Sequence, residues 1–254
     1  MIVCKSPSEL AKMRAASQVV AQVLDELASM VAPGVSTADL DAAAESKVRA
    51  LGAEPAFKGY RGYPATLCAS VNEQVIHGIP SKTALKAGDI ISLDMGVKLD
   101  GYYGDSAVTV AVGAVGDDIA RLLRVTQEAL ERGIAQVKVG GRISDIGHAI
   151  QQHVEAHGFS VVREFVGHGI GASLHEEPQI ANYGEPGRGP RLAEGMTLAI
   201  EPMVNMGRAA VKVLSDGWTA VTKDGSLSAH FEHTVAVTKD GPLVLTARPV
   251  AAGR

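Results

Sequence analysis

Asp94, Asp105, His168, Glu201 and Glu232 are the residues of this chain best suited to do chemistry, each standing beside a glycine or a run of small and β-branched residues. A buried carboxylate is costly to keep ionised on its own, and it neutralises or pairs instead. Four converging carboxylates therefore call for countercharge, which two divalent ions would supply. A carboxylate-rich set with one imidazole suits Mn, Fe, Co or Zn better than a thiolate-dependent metal. Two such ions, ~3.5–4 Å apart, acidify a shared water and stabilise both charges of a hydrolytic transition state. Taken singly, an Asp or Glu at a strand terminus is more often a solvated turn residue. Repetition lifts these five above that reading.

The elements that must position them come twice in the same order. Ser6-Pro7-Ser8-Glu9 is a capping box with proline at the first helical position, and Leu10, Met13, Val20, Val23, Leu24, Leu27 and Val31 follow at helical spacing to Pro33-Gly34. A second helix runs from Ser36 or Thr37 to Gly52, and strands are predicted near 67–72, 89–98 and 105–112. Helices over 116–138 and 144–157 follow, then strands near 160–166, 196–204, 208–214, 218–223 and 230–237. An offset of 106 aligns Asp39 with Asp145, Val48 with Val154 and Gly52 with Gly158. Gly88-Asp-Ile-Ile-Ser-Leu-Asp94 and Gly195-Met-Thr-Leu-Ala-Ile-Glu201 both end an apolar strand in a carboxylate six residues after a glycine, and Asp105 and Glu232 both open alternating strands. Each half thus supplies two carboxylates. The expected fold is α/β (α+β), one domain over 1–254, with pseudo-equivalent halves of about 1–113 and 114–254 whose sheets meet around a central site.

Other histidines and the cysteines carry weaker signals. His77, in Val-Ile-His77-Gly-Ile-Pro, follows a strand, and His175 lies in a Leu-His-Glu-Glu-Pro turn seven residues after His168; each reads equally well as a packed loop residue or a catalytic one. His153-Val-Glu-Ala-His157 lacks the glutamate that follows the first histidine in a helical metalloprotease motif, and it reads as a solvated helix face. Gly167 to Gly171 is no dinucleotide fingerprint, because no Gly-x-Gly-x-x-Gly opens a helix there. Cys68 reads as a small pocket-lining thiol, and Cys4 and Cys68 as reduced thiols of an intracellular protein.

The bulk numbers bound the rest. With 254 residues, 46% of them apolar and 20% charged, the chain can bury a full core. A net charge of −4 without any Lys/Arg block argues against a nucleic-acid or anionic-membrane surface. No signal peptide and no membrane-length apolar run is present, so a cytoplasmic protein is expected.

Asn72…His77-Gly-Ile-Pro, Asp94…Gly104-Asp105, Phe165-Val-Gly-His168-Gly-Ile-Gly, Ala199-Ile-Glu201-Pro-Met and Phe231-Glu232-His-Thr stand in the order found in the type I methionine aminopeptidases, which the chain closely resembles over nearly its whole length. The resemblance implies the pita-bread fold, two pseudo-symmetric halves with an antiparallel sheet covered by helices around a dinuclear metal site. It implies removal of the N-terminal methionine from nascent proteins and peptides with a small second residue, by a hydroxide that bridges two divalent metals and attacks the first carbonyl. Asp94 would chelate one ion, His168 and Glu201 the other, and Asp105 and Glu232 would bridge both. His77 and His175 would hydrogen-bond the scissile amide, with Glu201 as proton shuttle. Phe57, Tyr60, Tyr63, Cys68, Leu174 and Trp218 would form the methionine pocket. The implied protein is a monomer acting on nascent polypeptide N-termini, with the ribosome a further partner to test. Leu174 and His230 depart from the Phe and Gln that many relatives carry. A proline-specific pita-bread peptidase would share all five ligands, and a non-catalytic pita-bread binding protein would have lost some.

Overall fold

The computed structural model describes residues 1–247. Four helices, α1 (Pro7–Met30), α2 (Thr37–Ala50), α3 (Asp117–Ile134) and α4 (Ile143–Ala156), cover one side of a nine-stranded sheet. Local chemistry starts them. Ser6 Oγ accepts from the Glu9 backbone N–H while the Glu9 carboxylate accepts from Ser6 N–H, and Ser36 with Asp39 repeats the exchange. At α4, Asp145 accepts from the Arg142 N–H at 2.8 Å.

The sheet comprises β1 (Glu54–Pro55), β2 (Cys68–Val71), β3 (Ile90–Leu99), β4 (Tyr102–Ala111), β5 (Gly167–Gly169), β6 (Glu176–Ile180), β7 (Thr197–Ile200), β8 (Glu232–Thr238) and β9 (Gly241–Val244). Its order is β1-β3-β4-β8-β7-β5-β6, with β2 also on β3 and β9 on β8, and every pairing is antiparallel. One sheet therefore runs through both halves. On its helix side, Leu24, Leu27 and Leu40 pack with Ile91, Leu93 and Met95 of β3, while Leu122, Val125, Ile146 and Ile150 pack with Leu198 and Val235. The opposite face carries the candidate site residues.

The twofold repeat is present in the backbone itself. Gly52 and Gly158 end α2 and α4 at φ 75° and 77°, and Gly88 and Gly195 precede matched strands at φ 92° and 86°. Ala53 N–H reaches back to the Val48 carbonyl as Phe159 N–H does to Val154. The isolated bridges Ser36–Ala84 and Arg142–Arg191 occupy matching places. The halves diverge between the paired carboxylates: 11 positions separate Asp94 from Asp105, but 31 separate Glu201 from Glu232. The extra chain builds two small sheets, in which 203–205 pairs with 160–161 and 228–230, and 220–222 pairs with 211–213 and 74–76.

Several predicted boundaries move. Asp94 and Asp105 sit within strands, not at a strand end and a strand start, because the β3–β4 hairpin continues past them to a tight Asp100-Gly101 turn with φ of 49° and 83°. The strand expected over 196–204 breaks at Glu201-Pro202, where proline has no N–H to donate, and 203–205 joins a different sheet. Only 160–161 and 211–213 of the segments expected near 160–166 and 208–214 are strand, and α3 stops at Ile134 instead of 138.

Candidate metal centre and its pocket

Strand register aligns the donors. Cys68, Asp94, Ala107 and Glu232 form one cross-strand row over β2, β3, β4 and β8. Two residues along, and so on the same face, Asp105 lies opposite Gly96, and His168 lies opposite Ala199, itself paired with Thr234. Glu201 follows β7 by one residue, in line with Glu232 by the register that pairs Ile200 with His233. Gly96, Ala107 and Ala199 stand between donors on this face, which leaves space above the sheet. Thr234 Oγ1 donates to the Asp105 carbonyl at 2.7 Å and accepts from the Asp105 N–H at 3.1 Å, locking β4 to β8 beside both acids.

The five donors converge. One ligand atom each from Asp105, His168 and Glu232 lies within 4.8 Å of the other two, and Glu201 Oε1 is 3.6 Å from His168 Nε2. Asp94, Asp105, His168 and Glu232 are 8%, 3%, 8% and 3% exposed. Burial followed by mutual repulsion pushes the carboxyls of Asp94, Glu201 and Glu232 well above their ordinary range, and burial raises Asp105 to about 7. Burial lowers His168 to about 3, so its ring is neutral at pH 7. Its Nδ1 donates to the Gly169 carbonyl at 2.8 Å, which leaves the Nε2 lone pair for the site.

Asp94 Oδ1, Asp105 Oδ1 and Glu232 Oε1 are buried and find no hydrogen-bond partner among the described residues. In folded proteins a buried polar atom ordinarily has a partner. Acceptor-only oxygens facing one another around a neutral imidazole are a fit for divalent cations. His230 adds a second imidazole, 1% exposed, with Nε2 3.9 Å from Glu201 Oε2 and burial holding it near 3.

These donors form the floor of a cavity of about 140 Å³ whose walls include all six expected pocket residues, Phe57, Tyr60, Tyr63, Cys68, Leu174 and Trp218. Gly96 lets the pocket close, since a Cβ there would stand 2.9 Å from the Phe57 ring. Tyr63 donates from its hydroxyl to backbone carbonyls of Leu67 and Gly78 at 3.1 and 3.0 Å and packs edge-on against Trp218. Burial and the nearby Asp94 charge push the Cys68 thiol up, so it is a neutral wall and no nucleophile.

His77 and His175 flank the cavity. His77 has a left-handed backbone, φ 59°, and its ring lies edge-on to Phe165 and Trp218. Burial, then the His175 charge, lowers it to about 4. His175 stacks on Tyr60, bonds its hydroxyl through Nδ1 at 3.0 Å, and lies 4.1 Å from His168 between ring centroids. Sequence reasoning missed Arg61, which lines the cavity from a left-handed position and carries no motif of its own. It also missed Thr234, although two-residue alternation from Glu232 puts that hydroxyl on the site face.

Residues 11–239 match the model of metallopeptidase family M24. Methionine aminopeptidase 1 of Bacillus subtilis is 55% identical over 97% of this chain and 99% of its own. The solved methionine aminopeptidase of Thermotoga maritima superposes with a TM-score of 0.96 at 49% identity, covering 98% of this chain and all of that one. A prolidase from Pyrococcus furiosus shares the fold at TM-score 0.79 and 21% identity, and this chain spans 66% of its length. The chain belongs to the M24 metallopeptidases, pita-bread enzymes, and within them to the type I methionine aminopeptidases.

Proposed function

We propose that the chain removes the N-terminal methionine from nascent polypeptides whose second residue is small. The observation that carries this reading is the joining, in one small cavity, of a carboxylate-rich donor set with an apolar, aromatic-walled pocket. In the pattern that the family resemblance implies, Asp94 would hold one divalent ion, His168 and Glu201 a second, and Asp105 and Glu232 both, with Mn, Fe, Co and Zn all chemically suited. When bound, the ions supply Lewis acidity and an acidified water.

The rest falls to the chain's own side chains. Phe57, Tyr60, Tyr63, Cys68, Leu174 and Trp218 take up the flexible thioether. Neutral His77 donates a hydrogen bond to the scissile amide. His175, with Nδ1 engaged by Tyr60, turns Nε2 to the carbonyl oxygen where negative charge develops. Glu201, whose side chain is 12% exposed, carries a proton from water to the leaving amine. In this reading the protein is a cytoplasmic monomer of one catalytic domain that meets its substrates as they leave the ribosome.

Incubating the metal-loaded protein with Met-Ala, Met-Gly, Met-Lys and Xaa-Pro peptides tests the activity. Free methionine is expected from the first two and far less from Met-Lys or Xaa-Pro. Turnover of Xaa-Pro with none of Met-Ala would refute the proposal.

A further inference from the structure

A second cluster of donors stands on the helix side, outside the cavity. His153, in the last turn of α4, and His157, which caps it, are four residues apart, and Glu128 projects from α3 across the helix pair. One ligand atom from each lies within 4.8 Å of the other two. Read from sequence, the histidines suggested only a solvated helix face. The sequence could not show the glutamate, which is 25 residues away and reaches them only because α3 packs on α4.

Two of the three donors are held from behind. His157 Nδ1 donates to the His153 carbonyl at 2.8 Å, which leaves its Nε2 lone pair free, the arrangement that metal-binding imidazoles ordinarily have. The His157 carbonyl accepts from Arg121 of α3 at 3.3 Å. Arg124 holds Glu128 Oε1 at 3.0 Å and turns Oε2 toward His153. His153 Nε2 lies 2.9 Å from that oxygen, its side chain 7% exposed, and the two imidazole centroids are 4.5 Å apart. The proton shared by His153 and Glu128 sits where a cation would sit. An incoming ion would replace it, and the proton would move to His153 Nδ1, which keeps the ring neutral.

We infer that Glu128, His153 and His157 form a second metal site, separate from the catalytic cavity, that takes a late first-row divalent ion such as Zn²⁺, Ni²⁺ or Cu²⁺. Two imidazoles and one carboxylate supply three ligands, and water completes the shell. Arg124 and Arg132 beside the cluster oppose ions held by charge alone, so Mg²⁺ and Ca²⁺ are excluded. The ion would clamp α3 to α4.

Equilibrium dialysis of the full chain against Zn²⁺ tests this, with His157→Gln as the comparison. The parent is expected to bind one Zn²⁺ more per chain than His157→Gln, with Met-Ala hydrolysis equal in the two. The parent, but not the variant, should also show two-nitrogen hyperfine structure from one additional Cu²⁺. Glu128→Gln, at a partly exposed position, supplies a second comparison should His157→Gln fold poorly, and it is expected to weaken that ion's affinity at least tenfold. Equal Zn²⁺ stoichiometry and affinity in the parent and both variants would overturn the inference. Because the readout is binding, that failure would leave the proposed peptidase activity untouched.

Discussion

At the scale of residues, backbone strain and unsatisfied carboxylate oxygens meet in the cavity. His77 adopts a left-handed backbone without being glycine, a conformation that costs on the order of 1 kcal/mol and persists where the surroundings impose it. The orphaned carboxylate oxygens lie in the same cavity. If His175 stabilises the developing oxyanion, His175→Ala should lower kcat roughly 10²–10³-fold while bound metal, measured by elemental analysis, stays constant. A fall in metal content to match the fall in activity would assign it to the metal shell instead. Glu232→Ala should do the reverse, losing metal and activity together, and two tightly held ions with near-normal turnover would refute its bridging role. The donors that the structure brings together could be picked out in the sequence because carboxylates beside small residues recur at matched places in both halves. Thr234 and Arg61 were not, since a hydroxyl and a guanidinium have many ordinary uses.

At the scale of elements, the repeat was legible because helix caps and strand-entry glycines are local signals, and Asp39 with Asp145 marked the same turn twice. The length of the β3–β4 hairpin was not. Asp94 and Asp105 look like strand boundaries to any reading in which a charge ends an apolar run, and only burial on both faces reveals them as interior. Close approach is equally invisible in sequence. A Cβ on Gly104 would stand 2.7 Å from the backbone of Ser17, so α1 lies directly against β4 at this point. Backbone cannot yield as a flexible side chain can, and Gly104→Ala should cost about 1–3 kcal/mol. At ~2–4 °C per kcal/mol for a chain of this size, calorimetry should show a clear fall in Tm. An unchanged Tm would mean that α1 is free to shift.

At the scale of the whole molecule, the two halves meet where each brings a pair of acids that repel the other's, so stability must depend on pH and on metal together. A carboxyl whose folded pKa is raised binds its proton more tightly when folded. Its contribution is present below the unfolded value and is lost as pH rises through the folded one, about 7 for Asp105 and also raised for Asp94, Glu201 and Glu232. Buried histidines act in the opposite sense. Their folded values are lowered, to about 3 for His168 and His230 and about 4 for His77, so their contribution is lost as pH falls below the unfolded value of 6.5. The two effects oppose each other up to about pH 7.5 and separate above it, where even the unfolded imidazoles are almost wholly neutral and the raised carboxyls still titrate. Metal-free protein should therefore lose stability from about pH 7.5 to 8.5, at up to about 1.4 kcal/mol per pH unit for each proton given up. Bound divalent ions keep the four acids ionised, and the loaded protein should show a level Tm over the same range. Denaturation of chelator-treated and reloaded samples, run side by side across that range, decides the matter. A metal-free curve as flat as the loaded one would mean that the four acids do not repel across the junction of the halves.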